Sequence, residues 1–291
     1  MSVLLLLPVL AGVMALVVTG VVRRSPPSRE AAVAGARAHA RVGSAAAVLL
    51  GAAAGVWIGT TRLEHAAAPG SLGVTALLVP VTFGLVHTAV LAVAELTWPR
   101  PDGAVRRARL ERRGLLDAAP RWLLRMAAVS AVAATTTVLA GSLVAAPDGR
   151  SLVVDDPPFE VTASPFAGPV YGTPAAVGLL LLAAATAGAL WVVANRPAVA
   201  TQDDRIEAAL RVASAHRVLR GAVGASLTVS GGLLGVSGRA LWTVGSSSGR
   251  ELVALLGLLT AACGFTALLA AAVVLCTRAP RVPAGEQAVP A

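Results

Sequence analysis

"LGVTALLVPVTFGLVHTAVLAVAELTWPRPDGAVRRARLERRGLLDAAPRWLLR", residues 72–125, joins two kinds of chain. Residues 72–96 are almost wholly apolar, and about twenty such residues cross a hydrocarbon layer of roughly 30 Å as a helix. Residues 99–114 carry six arginines and two acids. Pro99 and Pro101 oppose helix continuation beyond Trp98. Asp102-Gly103 offers a turn, and a short helix can follow from Ala104, with Val105, Ala108 and Leu110 as its apolar residues. A basic segment tied at both ends to apolar spans faces anionic headgroups, at roughly 1 kcal/mol per arginine near the surface. That reading displaces nucleic-acid binding, and no nucleic-acid partner is expected.

Outward from this stretch the same alternation recurs. The 291 residues are 56% hydrophobic and 13% charged, against about 25% charged in soluble domains. Mean hydropathy is +0.76. Seven spans are predicted, at about 2–22, 43–60, 72–96, 122–146, 174–194, 221–242 and 252–276. The fold class is therefore an all-α polytopic transmembrane helix bundle in a single domain. The first span has no basic residue before it and Arg23 and Arg24 directly behind it. This is the reverse of a cleaved signal peptide, so a retained helix with its N-terminus outside is expected.

Alternation of seven spans from that start puts 20 of the 24 arginines on the inner side, including those of 23–42, 97–121 and 195–220. Such an asymmetry over short loops is what the positive-inside rule requires. It also supports the glycine-rich sixth span, whose removal would reverse everything beyond it. Trp57 and Trp242 fall near predicted outer ends, and Trp98, Trp122 and Trp191 near inner ends, where indole rings sit at headgroup level.

Between the spans, residues 147–173 form an extracytoplasmic loop in which "SLVV" and "FEVTA" can pair as a hairpin around "DDPP". Residues 201–220 suggest a cytoplasmic helix leading into span six, with Thr201 and Asp204 as a capping box. Residues 277–291 are expected to be a flexible cytoplasmic tail. Cys263 and Cys276, thirteen residues apart on one span, would lie about 20 Å apart and cannot pair.

Chemistry-bearing residues are sparse. His87 and Glu95 of span three form the one candidate intramembrane polar site, helped by Pro80, Thr82 and Thr88. An ionisable group at membrane depth is costly and faces protein or water. Two readings stand: a proton or solute path, or a neutral His87 bonded to a neighbouring helix with Glu95 paired to Arg100 or another inner arginine. Gly51, Gly55 and Gly59 in span two, and Gly231 and Gly235 in span six, mark faces on which helices can approach closely. The chain lacks a P-loop, H-E-x-x-H, C-x-x-C and G-x-S-x-G, and His39, His65, His87 and His216 are scattered. No catalytic, cofactor-binding or metal-binding residue is assigned, and no enzymatic activity is expected.

The stretch "AELTWPRPDGAVRRARLERRGLLDAAPRWLLR" (94–125), with the arginine and alanine bias and span layout, resembles the uncharacterised multi-pass membrane proteins of high-GC, actinomycete-type bacteria. The resemblance implies a multi-pass address in a bacterial plasma membrane and carries over no catalytic residue. The expected role is a non-enzymatic integral membrane protein, a structural or accessory component of a membrane complex. The alternative is a small-solute transporter or channel-like permease using polar positions of spans three and six. The expected partners are the bilayer, with its anionic headgroups at the cytoplasmic face, and a membrane protein or a second copy of this chain.

Overall fold

One helix organises the molecule. In the computed structural model, which describes residues 31–63, 70–98, 114–156, 159–198 and 204–282, the helices are α1 (Ala31–Leu63), α2 (Ser71–Leu96), α3 (Arg121–Val144), α4 (Pro169–Asn195), α5 (Asp204–Ser247) and α6 (Glu251–Cys276). All six are long and apolar enough to cross a membrane. In α5, 72% of the apolar stretch is buried, against 17–33% in the other five. α2, α3, α4 and α6 pack against α5 while α1 packs mainly on α2, and the outward faces expose large apolar residues such as Leu143, Leu180, Leu252 and Val273. A bundle whose shell is apolar and whose central helix carries the serines and glycines is inverted relative to a water-soluble one.

Helix directions alternate. Gly43 lies against Ala94 and Gly55 against Val79, so α1 and α2 run antiparallel. Gly73 meets Tyr171 and Gly178 meets Val81, so α2 and α4 run in the same direction. Gly224 meets Leu275 and Gly245 meets Ala254, so α5 and α6 are antiparallel. Ser130 of α3 contacts Ser226 (3.0 Å between hydroxyls) and accepts from Ser230 of α5 at its carbonyl (3.1 Å). The bundle therefore has one end that gathers Arg37, Glu95, Arg196 and Arg220, and an opposite end that holds the 145–168 connection.

The α5–α6 contact has a period that decides its closeness. Gly224, Gly231, Gly238 and Gly245 stand seven apart on α5, as do Gly257, Gly264 and Ala271 on α6. Seven residues make nearly two turns, so each set forms one stripe. A Cβ on Gly238 would collide with the Ala261 backbone, and one on Gly257 with the Trp242 backbone nitrogen. A Cβ on Gly264 would stand 2.7 Å from the Gly235 nitrogen. At Gly238, Gly245, Gly257 and Gly264 the two backbones touch directly.

The hairpin in the long connection forms as β1 (Leu152–Asp156) and β2 (Phe159–Ala163), antiparallel, with Leu152 opposite Ala163. Leu152, Ala163 and Phe166 pack on Ala240 and Val244, so the hairpin covers the C-terminal part of α5.

Several expected boundaries change. The second span, expected at 43–60, is part of a helix that already covers residues 31–42, read from sequence as a loop. The expected cytoplasmic helix and sixth span are one continuous α5 of 44 residues, about 66 Å long, twice the apolar thickness of a bilayer. Within 147–173, α4 already begins at Pro169. In the tail, the Val282 carbonyl accepts from Arg37 at 2.9 Å, so residues up to 282 are held. The first span (2–22), most of the arginine-rich loop, Thr201 of the capping box and residues 283–291 lie outside the described residues.

Candidate functional site

At the arginine-rich end, α2, α4 and α6 finish and present the carbonyls of their last turns. Each needs donors, and each carries the negative end of its helix dipole. The opposing helices α1 and α5 supply them. His39 donates its Nε2–H to the Ala94 carbonyl (2.8 Å) at the end of α2. Arg211 Nη1 donates to the Ala194 carbonyl (2.6 Å) and Nη2 to that of Arg196 (3.0 Å), closing α4. Arg220 Nη1 donates to the Thr277 carbonyl (2.8 Å), closing α6.

Glu95 lies within this layer. Arg196 Nε approaches its Oε2 at 3.1 Å and Arg217 Nη2 its Oε1 at 3.8 Å, with the Arg196 side chain only 1% exposed and that of Glu95 5%. Glu207 adds a second carboxylate, 2.8 Å from Arg211 Nε and 3.7 Å from Arg196 Nη2. The Glu95–Arg196 contact is Coulombic, because neither atom meets hydrogen-bond geometry. The Arg196 guanidinium lies over the Trp98 ring, 3.9 Å from its centroid, a cation–π contact that suits a guanidinium removed from water. Burial lowers the Arg196 pKa from its ordinary value, and the Glu95 and Glu207 carboxylates oppose that shift.

This corrects the tryptophan reading. Trp98 is buried, edge-on to His39 and under Arg196, so its ring is covered by protein rather than exposed at the surface of the bundle. Trp57, Trp122, Trp191 and Trp242 are exposed.

His87 is separate from this layer. It sits eight residues before Glu95, about 12 Å along the helix, and is buried. Its ring stacks on Phe83 (5.6 Å between centroids, 26° between planes) and presses on Gly221 of α5, where a Cβ would collide with Nδ1 and Cε1. Nδ1 has no hydrogen-bond partner, and neither does the Oγ1 of the neighbouring Thr88. The two best-defined depressions do not reach either residue. One is an open groove on α6, and the other is a cleft of about 140 Å³ under β2, lined by Thr162, Ser164, Arg239 and Thr243. His87 and Glu95 thus occupy two different surroundings on one helix.

The glycines marked in the sequence are contact points within the chain. Gly51 and Gly55 lie against Phe83 and Val79 of α2, and Gly59 against Val79. Gly231 meets the Gly264 carbonyl and Leu268, while Gly235 is the surface approached by Gly264. No group of three or more metal-binding side chains occurs among the described residues.

Arg196, Arg211 and Arg217 were not singled out from sequence, and Trp98 was read only as a ring near an inner end. Glu207 and Arg211 have the i,i+4 spacing of a helical ion pair, which was a usable signal. The pairing of Glu95 with Arg196 spans 101 positions and leaves no local trace.

No known protein family, curated protein or solved structure matches this chain.

Proposed function

We propose that this chain is a multi-pass protein of a bacterial plasma membrane whose work is non-catalytic: a structural or accessory component of a larger membrane assembly. Its arginine-rich end faces the cytoplasm, with a helix of residues 2–22 completing a seven-span bundle whose N-terminus is outside. One observation carries the functional part. The ionisable groups Glu95, Arg196, Glu207 and Arg211 are engaged in joining α2, α4 and α5 to one another. None of them lines either of the two best-defined depressions.

The second reading, a small-solute permease, has its own observation. His87 Nδ1 and Thr88 Oγ1 are buried without hydrogen-bond partners inside the bundle. A polar group held dry costs free energy, and a conformation that opens beside α5 would hydrate both.

Two measurements separate the readings. The accessory reading expects the native protein to migrate well above its monomer mass in gently solubilised membranes, and the pure protein to move no candidate solute in reconstituted vesicles. Solute flux that His87→Ala or Glu95→Ala abolishes would replace it with the permease.

A further inference from the structure

After the carboxylates are assigned, positive charge is left over at the inner end of α5 and α6. Glu95 and Glu207 are taken up by Arg196 and Arg211. Arg217 reaches Glu95 only at 3.8 Å and otherwise bonds the Ser214 hydroxyl (2.9 Å). Arg220 is 7% exposed and forms no ion pair among the described residues. One of its nitrogens closes α6 through Thr277. The other two make no hydrogen bond, yet they are not among the sealed, unpartnered atoms. Capping a helix uses one donor and leaves a full charge, and a guanidinium out of bulk water calls for an anion.

The surface beside it is apolar and faces outward. A shallow, open apolar depression runs along the last turns of α6, lined by Ala272, Val273, Cys276 and Thr277. Thr277 is the residue Arg220 caps, so the groove ends at the unneutralised charge. Behind Thr277, buried His216 lies 3.4 Å from its hydroxyl, with the Trp122 ring 6.0 Å from His216, centroid to centroid. A cation at headgroup level at the end of a lipid-facing apolar groove complements an acyl chain with a phosphate at its head.

We infer that this groove seats one anionic phospholipid of the inner leaflet, its phosphate on Arg220 with Arg217 beside it and its acyl chain along Ala272, Val273 and Cys276. The inference rests on the membrane reading above and gives that bundle a specific lipid.

The test uses the full chain extracted in mild detergent, titrated with phosphatidylglycerol or phosphatidylcholine and weighed intact by native mass spectrometry. One phosphatidylglycerol is expected to stay bound where phosphatidylcholine does not. Arg220→Gln should weaken it roughly fivefold, the value of one interfacial arginine. Val273→Trp, at a position 65% exposed and so harmless to the fold, should block the groove with Arg220 intact. Arg150→Gln, in the opposite connection, should change nothing. Equal retention of both lipids, or indifference to Arg220→Gln and Val273→Trp, overturns the site. Displacement of the lipid by millimolar inorganic phosphate overturns the lipid assignment in favour of a free anion. Membrane-embedded protein that resists carbonate extraction but shows no lipid preference loses this site alone, whereas protein released by carbonate loses the membrane reading and the site together.

Discussion

Arg196 meets the Glu95 carboxylate at 3.1 Å across 101 positions of chain, with both side chains nearly sealed from solvent. The contact joins the end of α2 to the end of α4, and Arg217 brings α5 to the same carboxylate. Removing one partner leaves a buried charge, which typically costs about 3–5 kcal/mol. Glu95→Gln is therefore expected to lower the thermal midpoint of the detergent-solubilised protein sharply. Glu95→Gln with Arg196→Gln together should recover much of the loss. Equal damage from the single and double variants would mean that the pair does not act as a unit.

The α5–α6 stripe makes a positional prediction about glycine. Gly238→Val should separate the helices, since even a Cβ there collides with the Ala261 backbone. Gly188→Ala is the contrast. It lies exposed within α4 with nothing within 4 Å of its Cβ position, so it should be neutral or stabilising by up to about 1 kcal/mol through helix propensity. Thermal melts of both variants check the pair, and a similar loss in each would contradict the close backbone contact.

Much of this architecture is legible in the sequence because hydropathy and span length leave few alternatives. The fourth span, expected at 122–146, is α3 at Arg121–Val144, and the seventh, expected at 252–276, is α6 at Glu251–Cys276. Sequence fails where polar residues sit on helices. Arg37, His39 and Arg41 look like a loop, yet α1 runs through them because Arg37 and His39 have carbonyls to cap on other chain segments. Trp98 looks like an interface anchor but lies under Arg196, a partner no local pattern announces. His87 and Glu95, read as one polar site on a shared helix, meet different neighbours at the two depths: Gly221 at one and Arg196 at the other.

His87 and Gly221 should be coupled. Gly221→Ala places a Cβ into the imidazole, and overpacking of this kind costs typically about 1–3 kcal/mol. On a His87→Ala background the same change should cost little. Additive losses in the double-mutant cycle would mean that the ring is not seated on Gly221.

Asp148 gives a pH dependence confined to the connection between α3 and α4. Its carboxylate accepts from the Arg150 and Ser151 amides (3.0 Å each) and the Ser151 hydroxyl (2.8 Å). The Arg150 amide first, then the Ser151 hydroxyl, lowers its pKa from 3.8 to about 2. A carboxyl with a depressed pKa stabilises the turn fully above its ordinary value and loses that contribution as pH falls through about 2. Pepsin cleavage of this connection, normalised to an unstructured peptide, should rise between pH 4 and pH 2 in the wild type. Asp148→Ala should be cleaved readily at both. An unchanged pH response in the variant would remove Asp148 as the cause.

If the helices alternate across a membrane with the arginine-rich end in the cytoplasm, the connections on either side of α3 lie on opposite faces. Paired reporter fusions after Arg113 and after Asp148, which bracket α3, test it most directly. A cytoplasmic reporter signal is expected after Arg113 and an extracytoplasmic one after Asp148. The reverse assignment, or both on one side, would contradict it.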